Sequence, residues 1–180
     1  MIQTKVQKSK KKGKVLFMKK ENVYKPVKIF GVGYELKIIY KRIKAPKLNL
    51  EEKEIKIDLP IKYKKLNNVL IIQMLLDKMY EAIANKELEN IMEKVRTTLK
   101  FAPEDYKIMR LDKRLGKCVA NRLIINPDIV KYRKEIIEYI VFYEFCNLKV
   151  KRNTKKFYDM LKTYMPNYEN YEFELIGVQY

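Results

Sequence analysis

The stretch Ile137-Glu138-Tyr139-Ile140-Val141-Phe142-Tyr143-Glu144-Phe145-Cys146-Asn147-Leu148 decides how this 180-residue chain is read. Its periodicity predicts a helix over about 134–148, with Ile136, Ile140, Tyr143 and Asn147 on one face. Residues four apart on a helix, such as Tyr143 and Asn147, can reach one point in space, and Glu144 stands between them.

Downstream, a further helix is expected from about Thr154 to Met165, stopped by Pro166. The tail Tyr171–Val178 alternates, with Tyr171, Phe173 and Leu175 against Glu172 and Glu174, as an edge strand would. Upstream, Tyr106–Leu111 and Val119–Asn126 read as two short strands around a loop, Arg114-Leu115-Gly116-Lys117-Cys118. A long helix precedes them. It is capped by Asn67 or Asn68 and carries Val69, Ile72, Leu76, Met79 and Ile83 at helical spacing. After a bend near Asn85 come Leu88, Ile91, Val95 and Leu99, and Pro103 ends the helix.

Between Lys14 and Pro60 the pattern is strand-like, in Val27–Phe30, Tyr34–Ile38 and Glu54–Leu59, with Gly31 and Gly33 at a turn. Those glycines make no dinucleotide fingerprint, since no third glycine and helix follow. Antiparallel N-terminal strands, a long helix, two strands and two helices make an α+β layout with segregated helices. Residues 1–27 are expected to be a basic arm or hairpin and 28–180 a single domain.

Composition bounds the function. Apolar residues are 47% and charged residues 34% of the chain, a globular balance. No apolar run reaches the length needed to cross a bilayer, and Val15-Leu16-Phe17-Met18 is too short for a signal-peptide core. A cytoplasmic protein without a membrane partner is expected, with Cys118 and Cys146 as reduced thiols. The net charge is +18, and residues 1–48 hold 15 Lys/Arg against 2 Asp/Glu. Lys8, Lys10, Lys11, Lys12 and Lys14 form its densest part. The excess reads either as a footprint for nucleic acid or as a compositional bias, because lysine rather than arginine supplies it. Histidine is absent, which excludes every mechanism built on an imidazole base or ligand.

Four ordered motifs resemble the YgjP-like, SprT-related zinc metallopeptidases. Tyr143-Glu144-Phe145-Cys146-Asn147 stands where that family has His-Glu-Leu-Cys/Ala-His. Arg152-Asn153-Thr154-Lys155-Lys156-Phe157-Tyr158 is similar to its Asn-His-Ser, basic pair and Phe-Trp. Tyr164-Met165-Pro166-Asn167-Tyr168 is close to its Tyr-Met-Pro-Asp-Tyr/Trp. Arg114-Leu115-Gly116-Lys117-Cys118 resembles its Arg-Trp-Gly-Ser-Cys loop. The likeness is specific over roughly 106–168, and it implies a zincin-like metallopeptidase fold.

In such a site two histidines and a third ligand from the next helix grip zinc, and the glutamate acts as general base. The resemblance puts the former ligand positions at Tyr143, Asn147 and Asn153, and the general-base position at Glu144. A phenol with an ordinary pKa near ~10 and two neutral amides are poor substitutes for imidazole. No metal or other cofactor is therefore expected, and no intact catalytic set.

Bland roles are open to each residue. Tyr143 can be core packing, Asn153 a helix cap, and Glu144 a vestige paired with Arg114 or a lysine. Arg114 and Gly116 can shape the loop, glycine by tolerating its turn. Cys118 and Cys146 can approach each other and, with Glu144, offer a replacement metal site. The leading expectation is a pseudoenzyme that binds a protein or peptide partner in the old cleft. The alternatives are a nucleic-acid-associated protein and an enzyme of other chemistry, for which no nucleophile–base pair is visible.

Overall fold

A computed structural model describes residues 26–176. The basic segment with Lys8, Lys10, Lys11, Lys12 and Lys14 lies outside the described residues, as does the end of the tail from residue 177.

The first hairpin joins β1 (Val27–Ile29) to β2 (Val32–Lys41), with Ile29 opposite Val32. Phe30 (φ 50°) and Gly31 (φ 82°) form its two-residue turn. Both central residues are left-handed, the geometry that matches the twist of the flanking strands. The turn is docked by main-chain bonds from Phe30 N to Val130 O (2.7 Å) and from Gly31 N to Lys131 O (3.2 Å).

β3 (Lys47–Leu50) and β4 (Glu54–Pro60) complete a sheet of order β1-β2-β4-β3. Pairing is antiparallel for β1–β2 and β3–β4, whereas β2 and β4 run parallel. Four-residue β3 carries too little alternation to be seen in the sequence. Ile55, Ile57 and Leu59 of β4 are fully buried and supply the sheet's contribution to the core.

Helix α1 spans Val69–Leu99 without a break. The bend expected at Asn85 is absent, because the Asn85 amide donates to the Glu81 carbonyl (2.8 Å) along the helix instead of interrupting it. The side chain of Asn67 accepts the first helical amide, Val69 N (3.1 Å). Asn68 turns inward and donates to the Tyr40 hydroxyl and the Tyr63 carbonyl. Ile72, Met79, Leu88, Ile91, Val95 and Leu99 are buried as expected, but Val69, the first residue of the helix, is exposed.

A second sheet of order β5-β7-β6 follows, from β5 (Asp105–Ile108), β6 (Gly116–Val119) and β7 (Arg122–Ile125). The segment Arg114–Cys118, expected as a loop, ends in strand β6, which forms a hairpin with β7 through Ala120 and Asn121.

Helix α2 (Lys134–Lys149) is buried almost all round, from Ile136 to Cys146 with only Glu138 partly exposed, so it is the central helix of the core. Each of its large apolar side chains contributes about 1.5–3 kcal/mol by leaving water. Helix α3 (Lys155–Tyr164) stops before Pro166.

The expected edge strand at Tyr171–Val178 is corrected: Tyr168–Glu174 is helix α4. Tyr168, Tyr171 and Leu175 point inward at spacings of three and four, which outweighs the two-residue alternation. Glu174 pairs with Arg133, and the Tyr139 hydroxyl donates to Glu172 (3.2 Å), fixing α4 on α2. No helix of the described residues is long and apolar enough to cross a membrane. The architecture is α+β, with α2 packed beside the edge strand β6.

Candidate active site

Glu144 projects from the buried helix α2 toward strand β6 and has no exposed surface. The strand meets it at Gly116. A Cβ on Gly116 would lie 2.8 Å from Glu144 Cγ, closer than real Cβ atoms approach, and 3.1 Å from Oε1, a tight contact. Glycine is needed here for this contact and not for a turn, since Gly116 lies in a strand and lacks a left-handed φ. That corrects the sequence-based reason for it.

Asn126, itself buried, holds the approach to β6. Its side-chain amide donates to the carbonyls of Leu111 (2.9 Å) and Arg114 (2.8 Å), and its main-chain N–H donates to Leu115 O (2.9 Å). Sequence reading passed over Asn126, although an asparagine just before Pro127 is a turn signal.

The counter-ion of Glu144 is Arg152, not Arg114. Arg152 Nη2 lies 3.4 Å from Glu144 Oε2, and the same guanidinium lies 5.7 Å from the centre of the Tyr143 ring. Arg114 is exposed and acts on Glu144 only at longer range. Burial raises the Glu144 carboxyl above its usual range. Arg152, the Asn147 amide, Arg114 and the Cys118 main chain pull the other way. Oε1 nonetheless makes no hydrogen bond of good geometry.

Tyr143 is part of the core, its ring edge-on to Phe157 at 4.8 Å and near Tyr139 at 6.0 Å. Asn147 is half-buried. Asn153 is exposed, takes a left-handed φ of 62° and accepts from the Tyr158 hydroxyl (3.4 Å). It does not cap α3. Thr154 does, accepting from Phe157 N (3.3 Å), because a left-handed residue cannot occupy the extended N-cap position.

Cys118 is half-buried, and its thiol is pushed up by burial and by Glu144 and lowered by Arg152. Burial pushes the Cys146 thiol up to about 12. Neither favours the thiolate that binds metal. Among the described residues no group of three or more Cys, Asp or Glu is placed to hold a metal ion, so the Cys118–Cys146–Glu144 site is not formed.

These residues do not fit zinc. The carboxylate is engaged by a guanidinium, the phenol is packed against Phe157, and Asn153 turns to solvent. A cavity of about 360 Å³ lies elsewhere, lined by Met92, Pro103, Tyr106 and Phe145, and includes none of the former ligand positions.

The family model for the YgjP-like, metallopeptidase domain matches residues 1–176. Among solved structures, the crystal structure of the metallopeptidase zymogen of Pyrococcus abyssi abylysin is similar at 16% identity and a TM-score of 0.45. The match covers 49% of this chain and 90% of that one, a likeness too slight to bear on function. A search of curated proteins finds no match.

Proposed function

The chain belongs to the YgjP-like metallopeptidase family, and from that premise we propose that it is a catalytically inactive member acting by binding an extended segment of a protein or peptide partner. The observation that carries this reading is the Arg152–Glu144 ion pair. A general base must be free to accept a proton from an activated water, and this one is buried, wedged against Gly116 and neutralised from within the chain. With no imidazole anywhere, Tyr143, Asn147 and Asn153 supply no replacement ligand set.

The edge of the second sheet supports the binding reading. Strand β6 is at the edge of its sheet, with β7 its only neighbour among the described residues. An edge strand offers main-chain donors and acceptors to an added strand. Arg114, just before the strand, and Val119, its last residue, are both exposed.

The purified protein is expected to hold well below one equivalent of zinc by elemental analysis, and to show no peptide cleavage that responds to zinc or chelator. Metal-dependent cleavage overturns the reading. Arg114→Glu with Val119→Lys should release the bound partners while leaving the melting temperature unchanged. Retention of every partner counts against the cleft.

The N-terminal charge favours a second reading, association with nucleic acid: 15 basic against 2 acidic residues over 1–48. On that reading, binding to DNA or RNA weakens steeply with salt, and removing residues 1–14 flattens the slope. Absence of binding at low salt ends it.

A further inference from the structure

Twelve large apolar side chains are exposed among the described residues, and five of them fall within residues 61–74. Leu70 is 83% exposed, Leu66 and Val69 are each 59%, and Ile61 and Met74 are each 48%. Scattered exposed leucines are ordinary, but a cluster marks an interaction surface. These residues occupy the 3-10 turn Ile61–Lys65 and the first turns of α1. From Leu59 to Leu76 the sequence has no acidic residue, while Lys62, Lys64 and Lys65 are exposed beside the apolar group.

We propose that this end of the molecule docks on the surface of an anionic lipid bilayer. Leu70, in the first turn of α1, is 83% exposed. A bilayer interface accepts such an exposed residue without a complementary pocket, burying apolar side chains at the headgroup boundary. The three lysines sit where anionic headgroups would meet them, each favouring attachment. A second copy would bring the same lysines face to face, which opposes self-association through this surface. The expectation of no membrane partner rested on the lack of a spanning segment, and an interfacial contact needs none.

The test uses the full chain and vesicles of phosphatidylcholine with or without phosphatidylserine. Sedimentation is expected to show binding to the anionic vesicles and about tenfold weaker binding to the neutral ones. Leu66→Ser with Leu70→Ser leaves the charge unchanged and should weaken binding about tenfold. Both positions are exposed, so melting should be unaffected. The chain has no tryptophan, so the emission of a Leu70→Trp variant should shift to the blue on adding anionic vesicles.

The proposal is overturned if the wild type ignores anionic vesicles at low salt, or if the serine variant binds as well as the wild type, which would assign binding to the N-terminal lysines alone. An unshifted Leu70→Trp emission also overturns it. So does a wild-type dimer that the serine variant abolishes, which would make the occupant a second copy.

Discussion

Replacing Gly116 with alanine is expected to destabilise the protein by about 3 kcal/mol, read from urea unfolding. The added methyl would stand 2.8 Å from Glu144 Cγ, on a helix that is itself buried almost all round. Neither side can yield easily. Strand β6 is held by its pairing with β7 and by the bonds Asn126 makes to Leu111 and Arg114, and α2 is packed into the core. If the clash is the cause, Gly116→Ala combined with Glu144→Ala should cost less than the sum of the two single changes by about 1 kcal/mol or more. A Gly116→Ala variant within about 0.5 kcal/mol of wild type would show that strand and helix are not interlocked here.

The second large effect is expected at Arg152. Arg152→Met should cost about 3 kcal/mol at pH 7.5, because it leaves a carboxylate buried without its counter-ion. The pH dependence gives the sign. Burial raises the folded-state value of Glu144 above the unfolded one. Such an acid contributes stability that is complete below its unfolded value, ~4.3, and is lost as pH rises through the folded value. Removing the guanidinium raises the folded value further, so the variant should lose stability more steeply than wild type as pH rises from the carboxylate range toward neutrality. At pH 4.5 the penalty should shrink to about 1 kcal/mol, since a protonated carboxyl needs no counter-ion. Glu144→Gln in the same chain should remove most of the penalty at pH 7.5 and the extra slope. A loss that is equal at both pH values and unrelieved by Glu144→Gln would make Arg152 a packing residue only.

Much of the architecture was legible because periodicity is written locally. Helix α2 announces itself by its apolar face, and α1 by a long repeat at three and four. The tail misled because Tyr171, Phe173 and Leu175 satisfy a period of two, while Tyr168, Tyr171 and Leu175 satisfy one of three to four. Only the packing of α4 on α2, through Tyr139 and Glu172, decides between them.

The site divides in the same way. Glu144, Tyr143, Asn147 and Asn153 could be found from their order along the chain. The partner of Glu144 could not, since Arg152 lies eight residues away across the turn between α2 and α3 and its guanidinium returns over the Tyr143 ring. Gly116 was found for the wrong reason: nothing local to residues 114–118 shows that the obstacle to a side chain is on another element.

The pairing of Glu144 with Arg152 has a consequence for how this polypeptide matures. A fold completed by a dissolved ion gains stability that depends on the free concentration of that ion. Here the positive charge is encoded eight residues after the carboxylate it neutralises and emerges from the ribosome with it, in fixed one-to-one amount. The charge that Arg152 brings to Glu144 therefore draws on no cellular supply of a dissolved ion.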